Sequence, residues 1–285
     1  MSYVNELDIK AIVTNALKED LETKDITTVS FVPQDKFIKA AVLAKENCIV
    51  CGLGVAGLAF RLKNRNIKFK AKVKDGDIVK KGKVLAVISG SARSILSAER
   101  VALNFLNLLS GVSTRTRKFV NTVRPHKVRI MDTRKTIPGL RLLEKYAVRI
   151  GGGFNHRLSL DEMILVKDNH LKIIRGYKKL KGLNSVKKRY RTELEVKNLK
   201  ELKEALKLNP DIIMLDNMNI KDIKKAVRLR NSLSPNTRYP TPKLEASGGV
   251  TLKSIKKIAS CGVEMISLGE LTDSVASVDI SLEVL

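Results

Sequence analysis

The sequence predicts an α/β protein in two parts: an N-terminal α+β unit over residues 1–112, and an α/β barrel of six or seven strands over 113–273, short of the usual eight. Three observations carry this. In the first part, strand-like apolar runs sit together between two helical stretches instead of alternating with them. In the second, six short apolar runs appear, most of them separated by helical stretches, which is the rhythm of parallel strands with right-handed crossovers. Each of these six runs also ends in polar or glycine residues: Thr133-Arg134-Lys135, Lys167-Asp168, Glu195, Asp216-Asn217, Ser247-Gly248-Gly249 and Gly269-Glu270. A parallel barrel gathers such ends on one rim, whereas an open sheet would leave some far apart.

The elements follow in order. Residues 6–22 have helical periodicity, with Leu7, Ile9, Ile12, Val13, Ala16 and Leu17 on one side. "KFIKAAVLAK", "IKFKAKVK" and "KVLAVISG" read as strands, and "KDGDIVKKGKVL" carries the Asp-Gly and Lys-Gly chemistry of hairpin turns. "SILSAERVALNFLNLLSG" reads as a long helix that Gly111 should end. The six later strands are expected in "VRIMDTRK", "EMILVKDNH", "TELEVKN", "DIIMLDN", "KLEASGG" and "EMISLGE". The helices between them include "GLRLLEKYAVRI", "NLKELKEALKL", "IKDIKKAVRL" and "TLKSIKKIAS". No Gly/Ser linker marks the junction near residue 112.

Composition narrows the partners. The chain has 285 residues and 44% hydrophobic residues, enough for a large core and against wholesale disorder. No apolar run reaches the ~18 residues of a membrane helix. The acidic, amphipathic N-terminus has no signal-peptide pattern, so a cytoplasmic location is expected. The odd cysteine count (Cys48, Cys51, Cys261) fits buried thiols in a reducing compartment better than disulfides, and the lone C-x-x-C lacks the second pair a zinc site needs. A net charge of +25 attracts anions, either nucleic acid or small polyanionic substrates. With no Trp, 4% aromatics and no reader motif, specific nucleic-acid binding is not expected. The densest basic run, "KKLKGLNSVKKRYR" (178–191), reads as a solvated outer face.

"GLGVAG" (52–57) matches the dinucleotide-binding glycine pattern, but its surroundings do not fit. Lys63, Arg65, Lys68, Lys70, Lys72 and Lys74 crowd the region downstream, and the first acidic residue, Asp75, falls in a turn rather than at the end of a second strand. A helix start packed closely on a sheet is expected instead.

The rim is a more specific signal. Arg134, Lys135, His156, Arg157 and Lys167 supply cations for carboxylates and phosphates; Glu195 and Asp216 are carboxylates suited to ribose hydroxyls or to a Mg²⁺ bridged to a diphosphate. Ser247-Gly248-Gly249 lies between a strand and a helix, where bare amides can cradle a phosphate at the helix N-terminus.

"TRKTIPGLRLLEKYAVRIGGGFNHRLSLDEMILVKDNHL" closely resembles the matching region of quinolinate phosphoribosyltransferases. "AERVALNFLNLLSGVST", "ELEVKN", "IMLDNM", "EASGGV" and "ISLGELTDS" resemble the family's other blocks in the same order, so the resemblance spans essentially the whole chain. It implies an enzyme that joins quinolinate to phosphoribosyl diphosphate with Mg²⁺, releasing diphosphate and CO₂ and forming nicotinate mononucleotide. It implies an N-terminal α/β sandwich beside the short barrel, with the C-terminal strand, within 274–285, returning to the first domain. It also implies a homodimer with shared active sites, in which Arg100 serves the partner's site. By the same matching, Arg134, His156 and Arg157 would face quinolinate. Thr133, Lys135, Lys167, Glu195, Asp216, Ser247, Gly248, Gly249, Ser267 and Gly269 complete the expected substrate-binding set. Lys135, Lys167, Glu195 and Asp216 are its expected catalytic members, the two acids being candidates for the metal.

Two positions depart from the family's usual pattern: Ile137 in "KTIPGLR", where a threonine is common, and Asp273 in "LTDS", where a histidine is common. A molybdenum-transport-associated relative of the same fold usually lacks the lysine of "KDNH", so Lys167–His170 and Leu140-Arg141 favour the quinolinate enzyme. A basic nucleic-acid-binding protein is the alternative of a different class.

Overall fold

The structure, a computed structural model, describes residues 6–21, 23–180, 182–233 and 241–285. Glu22, the last residue of the expected first helix, and Lys181, within the basic run, lie outside the described residues. The chain forms two compact units: Met1–Arg117 with Thr136–Gly152 and Glu270–Leu285, and Lys118–Lys135 with Gly153–Gly269.

The first unit opens with α1 (Glu6–Asp20) and α2 (Ile26–Phe31), then β1 (Phe37–Ala44), β2 (Cys48–Ile49), α3 (Leu53–Lys63), β3 (Lys68–Ala71), β4 (Ile78–Val79), β5 (Val84–Ser91) and the start of α4 (Ala92–Thr122). β1 and β3 pair antiparallel on either side of β5, and β2 pairs with β4. The glycine pattern proves architectural. Gly52, at φ +100°, stands at the N-cap of α3, and the Asp75 carboxylate accepts the N–H groups of Gly52 (3.0 Å) and Leu53 (3.1 Å) and the Tyr146 hydroxyl (2.8 Å). Asp75 thus caps a helix, supplying the negative charge that a helix start favours. A Cβ on Gly57 would meet the Phe69 ring of β3 at 3.0 Å, so this glycine permits close helix–sheet packing. Cys48, Cys51 and Cys261 are buried and unpaired.

Helix α4 corrects one expectation. It continues through Gly111 to Thr122. A Cβ at Gly111 would lie 2.5 Å from the Ala276 carbonyl oxygen, so the residue is glycine because the C-terminal segment crosses the helix there. The triple glycine also has packing and turn roles. A Cβ on Gly151 would lie 2.6 Å from the Ser113 carbonyl oxygen of α4, and Gly152 turns the chain at φ +90°.

The second part of the chain supplies β6 (Arg129–Met131), α5 (Arg141–Ile150, in the first unit), β7 (Met163–Val166), α6 (Asp168–Ile174), α7 (Leu183–Val186), β8 (Arg191–Val196), α8 (Leu199–Leu208), β9 (Ile212–Asp216), α9 (Ile220–Leu233), β10 (Lys243–Ser247), α10 (Ile255–Ala259) and β11 (Met265–Ser267). The last strand, β12 (Ile280–Val284), returns to the first unit and pairs with β1, completing the four-stranded order β12-β1-β5-β3.

The second unit's sheet is parallel, in the order β6-β11-β10-β9-β8-β7. Its first strand in sequence lies beside its last, which is barrel order opened between β6 and β7. Six strands are present among the described residues. The free edge of β6 is met by a short extended segment rather than a seventh strand: Phe154 forms a parallel bridge with Met131, donates to the Ile130 carbonyl (2.8 Å), and accepts from the Asp132 N–H (3.1 Å). Along the strands, Leu194, Val196, Ile213, Leu215 and Leu244 are fully buried, as both-sides-covered parallel strands require. Met131, Met163, Ile212 and Met265 form a buried apolar cluster in the same unit.

Candidate functional site

The rim is built by register. Asp216, Ser247, Ser267 and Met131 are successive Cα partners across β9, β10, β11 and β6, so four strands end in one row. Glu195 lies two register positions below that row, opposite Met214, while Val166 of β7 partners Leu194. Lys167 follows β7 directly, and Thr133–Lys135 follow β6 after Asp132. The second unit thereby contains every expected site residue from Thr133 to Gly269. Arg100 is exposed on α4 in the first unit.

One part of the rim is cationic. Thr133 Oγ1 accepts the Lys135 N–H at 3.0 Å, fixing the turn that carries Arg134. The segment that meets β6 carries the second arginine. Buried Asp132 accepts the His156 N–H (2.8 Å) and the Asn155 amide (2.6 Å), and Arg157 donates through its side chain to the Met163 carbonyl (2.9 Å). Burial first, and then the neighbouring Arg134 guanidinium, push the Arg157 pKa below its usual range, while the Glu193 charge opposes that shift. Two like-charged guanidiniums held together suit a ligand with more than one carboxylate.

Another part is anionic. Burial, and then the facing Asp216 charge, raise the Glu195 carboxyl above the ordinary carboxylate range, and Lys167 pulls it back. Glu195 Oε1 lies 3.5 Å from the Asp168 N–H, while its main-chain carbonyl accepts the buried Tyr177 hydroxyl at 2.5 Å. Tyr177 thus pins the start of the basic 178–191 segment to a strand end. In that segment, Lys178, Lys179, Lys188, Arg189, Tyr190 and Arg191 are exposed, as expected of a solvated face. Two hard-oxygen carboxylates, one of them raised by the charge of the other, form a donor set that fits Mg²⁺. Beside Asp216, Gly248 (φ +85°) and Gly249 (φ +58°) present bare backbone in left-handed conformations. Since α10 begins only at Ile255, these amides belong to a loop and not, as expected, to a helix N-terminus. Ser267, in the same row of strand ends, is 2% exposed.

Below the rim is a group that the sequence reading missed. The side chains of Glu193 and Glu245 have no exposure, and that of His156 is 7% exposed. His156 Nε2 lies 2.9 Å from Glu193 and 3.8 Å from Glu245, and the three side chains have the spacing of a metal site. The tautomer opposes that use. His156 Nδ1 accepts the Arg157 N–H at 2.9 Å, so the ring's proton sits on Nε2 and is donated to Glu193. Nε2 then has no lone pair for a cation. His156, expected to face the dicarboxylate, has both ring nitrogens engaged in this network. Burial, reinforced by the Glu193 charge, raises the Glu245 carboxyl well above its ordinary value. The sequence did contain a signal: in "ELEV", Glu193 and Glu195 are two apart and share a strand face, one layer above the other.

Known proteins match along the whole chain. Residues 25–110 fit the N-terminal domain of quinolinate phosphoribosyl transferase and residues 112–283 its C-terminal domain. A probable nicotinate-nucleotide pyrophosphorylase (carboxylating) of Bacillus subtilis is 38% identical, over 99% of this chain and 95% of that protein. One of the same description from Methanocaldococcus jannaschii is 41% identical, over 96% of each. The solved nicotinate-nucleotide pyrophosphorylase of Francisella tularensis superposes with a TM-score of 0.91 at 37% identity, over 99% of this chain and 98% of that one. The barrel order, the charge-sorted rim and these matches agree, and the chain belongs to the quinolinate phosphoribosyltransferase family.

Proposed function

We propose that this chain transfers the phosphoribosyl group of phosphoribosyl diphosphate to quinolinate with decarboxylation, giving nicotinate mononucleotide, diphosphate and CO₂ in de novo NAD biosynthesis. The observation that carries the reading is the pair Arg134 and Arg157, each guanidinium in the field of the other. Quinolinate, with two carboxylates, matches that pair, and two-pronged hydrogen bonds from arginine orient it. His156 contributes by holding the Arg157 main chain in place.

Lys135, Lys167, Ser247, Gly248, Gly249 and Gly269 take the phosphates of the co-substrate. Glu195 and Asp216 would hold Mg²⁺, which would supply positive charge to the departing diphosphate. The lysines stabilise the same charge by standing ready before it develops. As the C1–O bond breaks, the ribose carbon becomes oxocarbenium-like, and a nearby carboxylate favours it. The quinolinate nitrogen donates its electron pair to that carbon. The ring, now cationic, accepts the electrons of the C2–carboxylate bond as CO₂ leaves, and C2 then takes up a proton.

The working form is a homodimer in which Arg100 of the partner subunit completes each site, and its compartment is the cytoplasm, for which three buried, unpaired thiols are suited. No helix among the described residues is long and apolar enough to cross a membrane. The deciding experiment is incubation with quinolinate, phosphoribosyl diphosphate and Mg²⁺, scoring nicotinate mononucleotide and CO₂. Formation of both in equal amounts supports the reading; formation of neither refutes it.

A further inference from the structure

Three non-glycine residues among those described have positive φ: Arg175, Asn209 and Asn217. Arg175 and Asn209 are helix C-caps, where the left-handed conformation is ordinary. Asn217 has no such explanation. It follows β9 directly, at φ +52°, at the point where the rim is built. A non-glycine residue held in that region outside a cap invites a functional account.

Its contacts link two strand ends. The Asn217 N–H donates to the Ser247 carbonyl at 2.9 Å, extending the β9–β10 pairing by one bond. The side-chain amide donates to Asp216 Oδ1 at 3.0 Å. The carboxamide also fills the space over Gly248: a Cβ there would lie 2.4 Å from Asn217 Oδ1 and 2.6 Å from Nδ2. Gly248 is therefore bare on the side where Asn217 rests, and the amide touches both the carboxylate and the glycine loop assigned to one co-substrate.

We infer that Asn217 is a positioning residue for the phosphoribosyl diphosphate subsite: it locks the Asp216 carboxylate and the Ser247–Gly249 loop into one piece. The inference rests on the proposed reaction and deepens it. The quinolinate end of the rim, built on Arg134 and Arg157, shares no hydrogen bond with Asn217 among those described.

Asn217→Gly tests this, because glycine adopts the same backbone conformation without strain and loses only the carboxamide. Steady-state kinetics of the full chain would be measured with each substrate varied, beside a urea unfolding curve. The expected result is a KM for phosphoribosyl diphosphate raised about ten- to a hundredfold, the range of one lost hydrogen bond to a charged group. The KM for quinolinate should change less than about twofold, with no loss of stability. Asn217→Asp, which keeps the shape but sets a second anion against Asp216, should show the same split. An active wild-type chain whose Asn217→Gly variant keeps its KM for phosphoribosyl diphosphate overturns the inference alone. Equal rises in both KM values also overturn it, as the mark of a general structural role. A wild-type chain without turnover refutes the proposed reaction, and the inference falls with it.

Discussion

Replacing Glu245 with glutamine should make stability less sensitive to pH, with a sign and a size that the barrel interior dictates. Glu193 and Glu245 are both sealed from solvent, and His156 Nε2 lies 2.9 Å from the first and 3.8 Å from the second. Burial, then the Glu193 charge, lift the Glu245 carboxyl from 4.5 to about 8. A folded pKa above the unfolded one means that the folded chain keeps a proton the unfolded chain has released. The stability this group contributes is therefore fully present below about pH 4.5 and is lost as pH rises through about 8. Within that window one retained proton lowers stability by up to about 1.4 kcal/mol per pH unit. Glutamine has nearly the same shape and no proton to lose, so the slope disappears with it. Between pH 5.5 and 7.5, Glu245→Gln should gain roughly 2 kcal/mol relative to the native chain. Any fixed offset from altered hydrogen bonding drops out of that difference, as does the titration of Glu195, which both proteins share. Urea unfolding of both proteins at half-unit pH steps measures it. Parallel curves of stability against pH would show that Glu245 is ionised when folded, and would refute the reasoning.

Other expectations follow from the same geometry. Gly111→Ala should lower stability by about 1–2 kcal/mol, because the clash with the Ala276 carbonyl outweighs the roughly 1 kcal/mol that alanine gains in a helix; thermal unfolding would register this as a drop of a few degrees. Arg134→Ala should weaken quinolinate binding and Lys167→Ala the binding of phosphoribosyl diphosphate, each by about ten- to a hundredfold in calorimetry; loss of the same ligand in both would refute the assigned roles. Arg100→Ala and Lys167→Ala should each be nearly inactive, yet regain roughly a quarter of the sites when unfolded together and refolded in equal amounts, since a mixed dimer then carries one intact site. Activity that stays at the level of the separate variants would show that Arg100 acts within its own chain.

The barrel strands were legible because each apolar run is short, buried on both sides and closed by a polar or glycine residue. That pattern does not depend on what packs against it. The glycines were not legible, because the same residue satisfies unrelated demands. Gly111 was read as a helix end and is instead a crossing point, and what requires it, the Ala276 carbonyl, lies 165 positions along the chain. The basic surroundings of "GLGVAG" argue against a dinucleotide, yet only the fold shows that the acid downstream, Asp75, caps the helix this pattern opens.

The acid layer was hidden for a related reason. Period-two alternation places Glu193 on the same face as Glu195, but only the folded chain brings the side chains of Glu245 and His156 to it. That layer bears on the proposed quinolinate site. Arg134 lowers the Arg157 pKa, and Glu193 raises it. The Glu193 carboxylate therefore offsets part of the repulsion within the cationic pair, while the raised Glu245 carboxyl keeps its proton and adds no second negative charge. Were both acids ionised, the pair would weaken the attraction for a dicarboxylate. Were both neutral, the two guanidiniums would stand against each other without compensation. One negative charge, on Glu193, favours holding the arginines together and still leaves the pair cationic, as the proposed quinolinate site requires.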